Sequence, residues 1–503
     1  MNAPPPTQLP AELEDRAVGT GLPGLDYILG GGYAANRLHL IEGCPGTGKT
    51  TMAMQFLIAG HANNQTCLYI TFTETARELK SVAASHGLSL DGFKIVELFA
   101  PELDPDAELH QTIIYSADLE LGETVQLVMD AVLKVAPSLV VVDSLSDIRL
   151  LAQSPLRYRR EVLALKHFFF KQGCTVLLLE DLSQADEDLM LHSICHGVVR
   201  LEQFAPAYGA QRRRLLVPKM RGRAIHSGYH DMVIRRGGVE VFPRLVASEA
   251  AASTIRSVVV PSGLAQLDAL SGGGLDRGTT TLILGPSGAG KSTLALRLLF
   301  DFLNGGEQVL FISFDETRRN FERRAASIGL AVESHLESGR LELVEIDPAG
   351  IMPGELSGLI RQRLATGVTA VVLDSLSGYE HTMADQTLLL LQLHELVTYL
   401  NRLDIVTIMT LAQAGVGALP RATIDTTYLA DSVFLLRFFE ARGAIRRAIS
   451  VIKKRTGSHE LTIRELSFDS MGVHVGEVLE GFTGTLTDTP VEAIQSGQFG
   501  RRT

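Results

Sequence analysis

Two octapeptides in this chain, Gly43-Cys44-Pro45-Gly46-Thr47-Gly48-Lys49-Thr50 and Gly285-Pro286-Ser287-Gly288-Ala289-Gly290-Lys291-Ser292, match the phosphate-loop pattern G-x-x-x-x-G-K-[ST] without a mismatch. In such a loop the glycines let successive backbone N–H groups curl around a triphosphate. The lysine reaches the terminal phosphates, and the hydroxyl after it takes a Mg²⁺ position. The triphosphate-binding stretches are therefore Gly43, Gly46, Thr47, Gly48, Lys49, Thr50 and Thr51 in the first half, and Gly285, Gly288, Ala289, Gly290, Lys291, Ser292 and Thr293 in the second. Cys44, inside the first loop, is read as a small residue at a variable loop position.

Phosphoryl transfer also needs carboxylates. Asp143 closes the apolar run Leu139-Val140-Val141-Val142, and Asp374 closes Ala370-Val371-Val372-Leu373. Each is expected at the end of the strand beside the phosphate-loop strand, where an acid supports the Mg²⁺ shell together with Thr50 or Ser292. Glu74 and the pair Asp315-Glu316 follow the next apolar strand of each half and are the candidate catalytic acids. Adjacent residues of an extended chain point to opposite sides, so only one of Asp315 and Glu316 can face the γ-phosphate.

Two basic clusters recur late in each half: Lys219-Met220-Arg221 with His226, and Lys453-Lys454-Arg455 with His459. On an alternating strand Lys219 and Arg221 share a face, as do Lys453 and Arg455, which suits reach across a subunit boundary to another subunit's triphosphate. The competing reading is a solvated edge strand.

The elements that must carry these groups repeat in register. Lys49 and Lys291 are 242 residues apart, and the same offset relates Asp26 to Asp268, Gly30-Gly31-Gly32 to Gly272-Gly273-Gly274, and Glu74 to Glu316. The chain is a tandem duplication. In each copy, continuous apolar strands separated by helices imply an α/β fold: a mainly parallel sheet flanked by helices on both faces. The expected division is a disordered lead over 1–17, a first domain over 18–246, a linker over 247–256, a second domain over 257–485 and a tail over 486–503.

Composition fits this plan and excludes others. With 503 residues, 46% of them apolar, each half is long enough to close its own core. Lys and Arg total 46 against 57 acids, a net charge of −11 that argues against bulk capture of nucleic acid. The four cysteines, Cys44, Cys67, Cys174 and Cys195, form no zinc-like spacing, and a reducing cytoplasm is the expected setting. The amino terminus lacks the basic end and apolar stretch of a signal peptide, and no apolar run approaches the about 18 residues of a membrane span.

Taken together, the glycine-rich lead-ins, both phosphate loops, Asp143-Ser144, Asp374-Ser375 and the two late Lys-x-Arg clusters resemble the KaiC-like family of tandem RecA-type ATPases and autokinases, over roughly residues 18 to 485. The resemblance implies a homohexamer of two stacked rings with ATP at the subunit interfaces. Lys219, Arg221, Lys453 and Arg455 would reach a neighbour's nucleotide, the first ring would mainly hydrolyse ATP, and the second would also phosphorylate its own Ser/Thr residues. Glu74, Asp315 and Glu316 fall on the family's catalytic acid positions, where this chain has Thr73-Glu74 and Asp315-Glu316 in place of adjacent glutamates. The family's acceptor pair falls on Thr427-Tyr428, leaving Thr426 and Thr427 as candidate phosphoacceptors. A switch of this kind implies a regulatory protein partner. The competing function is a RecA-like DNA-handling motor, against which the stretch after the Thr175 strand sets Asp181, Asp186, Glu187 and Asp188; a third is an ATP-bound signalling scaffold with little turnover.

Overall fold

A computed structural model describes residues 16–98, 121–152, 154–182, 189–206, 209–250, 258–382, 386–412, 426–441, 443–480, 482–483 and 491–492. The acids Asp186, Glu187 and Asp188, nearly all of the expected lead, most of the expected linker and most of the tail lie outside these residues. Apart from a short stretch at 207–210, the chain divides into two compact units at Arg244 and Leu245. Residues 247–250 join the second unit: the Ala247 amide donates to Glu395 Oε2 at 2.9 Å and Arg402 Nε donates to the Ala250 carbonyl at 3.1 Å.

The first unit is built on a nine-stranded sheet: β1 (Leu38–Gly43), β2 (Cys67–Thr71), β3 (Lys94–Glu97), β4 (Leu139–Asp143), β5 (Thr175–Asp181), β6 (Gly197–Phe204), β7 (Arg212–Met220), β8 (His230–Arg235) and β9 (Gly238–Phe242). Their order is β3-β2-β4-β5-β1-β6-β7-β8-β9, parallel from β3 through β6 and antiparallel from there to β9. The second unit repeats the plan with β10 (Thr280–Gly285), β11 (Gln308–Ser313), β12 (Leu341–Glu345), β13 (Val368–Asp374), β14 (Val406–Ala412), β15 (Ser432–Ala441), β16 (Ala444–Lys454), β17 (Arg464–Asp469) and β18 (Gly472–Val478). Its order is β12-β11-β13-β14-β10-β15-β16-β17-β18. The antiparallel strands on one flank were not expected from the apolar runs, because their outward positions carry arginines and other polar residues that interrupt the pattern.

Alternation along the strands explains why they read as unbroken apolar runs. Ile41 of β1 packs with Met52 and Phe56 of the helix α1 (Lys49–Ala62), whereas Leu38 and Leu40 face the opposite layer with Val162, Leu165 and Phe169. Both faces are covered, so most positions are apolar, and the buried polar exceptions on β1 are paired: His39 with the Ala34 carbonyl, Glu42 with His192 and Arg200. In the second unit Ile283 packs with Leu294, Leu298 and Phe302, and Leu282 and Leu284 pack with Leu393, Leu396 and Leu400.

The duplicated lead-ins are equally alike. Asp26 Oδ1 accepts from the Thr20 amide and Asp268 Oδ1 from the Ser262 amide, both at 2.7 Å. Gly32 and Gly274 have φ of 118° and 129°, and a Cβ on either would lie 2.2 Å from the carbonyl oxygen of Val18 or Val260. No residue but glycine fits there.

One sequence expectation is corrected. The acid-bearing strands β4 and β13 do not adjoin the phosphate-loop strands; β5 and β14 lie between. Apolar runs fix which segments are buried strands but carry no signal for their lateral order, and the acids still reach the site because they stand at the same end of the sheet. No helix among the described residues is long and apolar enough to cross a membrane.

Candidate functional site: two phosphate loops with their carboxylates

In each unit the phosphate loop joins the end of a central strand to the helix that follows it, β1 to α1 and β10 to a helix over Lys291–Asn304. Gly48 and Gly290 cap these helices in the left-handed conformation, with φ of 104° and 98°. A Cβ on Gly48 would meet Ile234 Cδ1 at 2.6 Å, and one on Gly290 would meet the Phe468 ring at 2.4 Å. Thr47 and Ala289 are buried within the loops, and Thr51 and Thr293 are buried in the first helical turns.

Lys49 and Lys291 open the helices and are buried at the foot of the loops. Lys49 Nζ donates to the carbonyls of Gly43 at 2.7 Å and Cys44 at 3.1 Å; Lys291 Nζ donates to Gly285 and Pro286, each at 3.0 Å. Burial holds the Lys291 ammonium below its ordinary value, against the opposing pull of Asp374 and Asp315.

The next residue meets the strand-end acid. Thr50 Oγ1 donates to Asp143 Oδ2 at 3.1 Å, and Ser292 Oγ donates to Asp374 Oδ1 at 2.9 Å. Burial pushes both carboxyls up from their usual range, while these hydrogen bonds pull them back. A hydroxyl beside a carboxylate is the hard-oxygen donor set that Mg²⁺ favours. Among the described residues no group of three or more His, Cys, Asp or Glu could hold a metal ion by itself. The residues therefore fit a cation that completes its shell with phosphate and water oxygens.

Each acid has a second donor that the sequence reading missed, and the two differ. The Tyr69 hydroxyl donates to Asp143 and the Thr410 hydroxyl donates to Asp374, both at 2.5 Å. At the 242-residue offset Tyr69 faces Phe311, so the duplication kept the acid and replaced its support. Because each hydroxyl serves a buried carboxylate, Tyr69→Phe and Thr410→Val are each expected to destabilise their unit by about 1–3 kcal/mol. A denaturant midpoint unchanged from wild type would refute this.

The candidate catalytic acids stand on matching turns. The Glu74 amide donates to Thr71 Oγ1, and that hydroxyl donates back to the Glu74 carbonyl; Ser313 does the same for Glu316. Thr75 then caps the following helix α2 (Ala76–Ser85) in a capping box with Glu78. The side chains diverge. Glu74 Oε2 is buried with no hydrogen-bond partner among the described residues, and burial, then the nearby Asp143, push its carboxyl up. In the second unit Asp315 Oδ2 accepts from Ser375 Oγ at 2.6 Å, while Glu316 is held by Arg324 through contacts of 2.7, 3.1 and 3.2 Å. Val82 stands at Arg324's place in the first copy.

The late basic residues turn onto their own unit. Lys219 Nζ donates to the carbonyls of His192 and Cys195, and Arg221 donates to that of Ser193. Lys453 donates to the Thr427 carbonyl at 2.7 Å and Arg455 to that of Tyr428 at 3.0 Å. Arg221 and Arg455 lie just past the ends of β7 and β16. Lys453 and Arg455 thus hold the turn Thr426–Leu429 that carries both candidate phosphoacceptors. His226 stacks on Tyr27 with ring centroids 4.4 Å apart, and the segment after His459 bonds back to Leu270, so both histidines sit beside the glycine-rich lead-ins.

Both units present one constellation of loop, lysine, hydroxyl and carboxylate. The sequence profile described as "ATPase: KaiC" matches residues 18–246 and again 260–480. The chain belongs to the KaiC ATPase family. Its relatives include the circadian clock protein KaiC3 of Synechocystis sp., 26% identical over 491 residues and 95% of each chain. The circadian clock oscillator protein KaiC of Parathermosynechococcus lividus is 25% identical over 94% of this chain and 87% of its own length. That of Picosynechococcus sp. is 24% identical over 97% and 95%. As a KaiC-family tandem ATPase the chain binds ATP. Within this family frame Tyr69, Thr410, Arg324 and Asp181 are the residues that sequence reasoning did not assign to the site. For Asp181 a signal existed, since Glu180-Asp181 ends an apolar strand as abruptly as Asp143 ends its own.

Proposed function

We propose that this KaiC-family chain binds Mg²⁺ and ATP at both phosphate loops, hydrolyses ATP, and works as a homohexameric switch whose second domain also phosphorylates its own Thr426 or Thr427. The observation that carries this reading is the recurrence of the lysine, hydroxyl and strand-end carboxylate in both units, with a further carboxylate on the adjoining turn. Mg²⁺, when bound, would supply positive charge that offsets the charge developing on the transferred phosphoryl group. Lys49 and Lys291 hold the terminal phosphates; Thr50 with Asp143, and Ser292 with Asp374, hold the cation. Glu74 and Asp315 or Glu316 take the proton from the attacking oxygen as it bonds to the γ-phosphorus, and ADP leaves with the electron pair of the broken P–O bond. Water as nucleophile gives phosphate; a threonine hydroxyl gives phosphothreonine.

In the homohexamer Lys219, Arg221, His226, Lys453, Arg455 and His459 supply contacts to a neighbour's nucleotide, for which Lys219, Arg221, Lys453 and Arg455 must turn from the carbonyls they meet on their own unit. The switch is read by a regulatory protein partner in the cytoplasm, and the names of the clock relatives support a timing role. The test is incubation of the purified chain with ATP and Mg²⁺, following free phosphate and intact-protein mass over hours. Added phosphate on Thr426 or Thr427 establishes the autokinase, release with unchanged mass limits the chain to hydrolysis, and neither product refutes the reading.

A further inference from the structure

The two phosphate-loop lysines differ in one respect. An ammonium has three N–H donors. Those of Lys49 are all engaged: by the carbonyls of Gly43 and Cys44, and by Asp181 Oδ1 at 2.7 Å. Lys291 makes the two matching carbonyl contacts, and no third hydrogen bond or ion pair to it is found among the described residues. The sheet register shows why. Gly43 of β1 pairs with Asp181 of β5, and Gly285 of β10 pairs with Ala412 of β14. The same place beside the loop carries a carboxylate in the first unit and a methyl group in the second.

From this we propose that Asp181 is a built-in competitor for the nucleotide's terminal phosphates, which weakens ATP binding at the first site. The proposal rests on the ATP reading of both loops. A phosphate oxygen that takes the third donor of Lys49 must displace a carboxylate of the same charge. That carboxylate is fixed on the strand next to the loop and then lies close to the incoming phosphate. The carbonyl contacts are common to both units and cancel from the comparison, so the difference falls on Asp181. The Asp181 side chain is nearly half exposed, so the competition is partly screened by solvent. It acts as a threshold: the first site fills at a higher ATP concentration than it would without Asp181.

The test uses full-length chain with one loop disabled at a time. In a Lys291→Ala background, which isolates the first site, Asp181→Asn is expected to tighten binding of Mg²⁺–ATP by about two- to fivefold in calorimetric titration. In a Lys49→Ala background, Ala412→Asp is expected to weaken the second site by a similar factor, and this reciprocal variant guards against a folding defect in the first. Unchanged or weaker binding by Asp181→Asn, with Ala412→Asp without effect, overturns the competition while leaving the ATP reading intact. If neither background binds ATP before the second substitution is made, the ATP reading itself falls, and the competition with it.

Discussion

Replacing Glu74 by Gln is expected to lower phosphate release by the first repeat about 10²- to 10⁴-fold, the usual contribution of a positioned general base, while raising the thermal stability of that unit at neutral pH. The two effects share a cause. Glu74 has its carboxyl pushed up by burial and by Asp143, and its Oε2 lacks a hydrogen-bond partner among the described residues. A folded-state value above the unfolded one means that this group favours folding below the ordinary carboxyl range, and the contribution is lost as pH rises through the raised value. At neutral pH the folded chain therefore bears the cost of a half-buried, unpaired charge, which Gln removes. The variant should melt above wild type at pH 7, with the gap closing toward pH 4. In a Lys291→Ala chain, wild-type turnover by Glu74→Gln would remove Glu74 from the chemistry.

The phosphate loops, their lysines and hydroxyls, and the acids at the ends of apolar strands were legible in the sequence because each is a short motif or a break in a run. The duplication was legible because glycines and acids recur at one fixed offset. What was not legible came from lateral contacts across the sheet and from helix faces. The insertion of β5 between β1 and β4 brings Asp181 to Lys49, although the two are far apart in sequence. Tyr69 reaches Asp143 from β2 across one strand spacing, a contact that a periodic apolar run containing a tyrosine does not announce. Arg324 lies two helical turns beyond Glu316, and on the sequence alone it is one arginine among several on an exposed helix. The late Lys-x-Arg pairs were read as strand residues sharing a face. In the structure each arginine lies just past its strand, and each pair meets the backbone of the segment that precedes the neighbouring strand.

In the second repeat, Asp315→Asn is expected to suppress phosphoryl transfer about 10²- to 10⁴-fold, whereas Glu316→Gln is expected to lower it by less than about tenfold and to act mainly on stability. Glu316 is the residue at the 242-residue offset from Glu74, and sequence register alone would assign it the base. The geometry favours Asp315 instead. Arg324 engages both oxygens of Glu316, with its nearest contact at 2.7 Å, and so occupies the positions at which that carboxylate would meet a nucleophile's proton. Asp315 Oδ2 receives a hydrogen bond from Ser375 Oγ, next in the chain to Asp374. Although one methylene shorter than Glu, Asp315 is directed to the site by that contact. Breaking the Glu316 pair leaves the largely buried Arg324 guanidinium without its carboxylate, at a cost of about 1–3 kcal/mol. Measured in a Lys49→Ala chain, collapse of turnover in Glu316→Gln with near-normal turnover in Asp315→Asn would return the base role to Glu316. The expected order instead gives the two repeats different bases on the same turn: Glu74 where Val82 leaves the second position unpaired, and Asp315 where Arg324 has taken it.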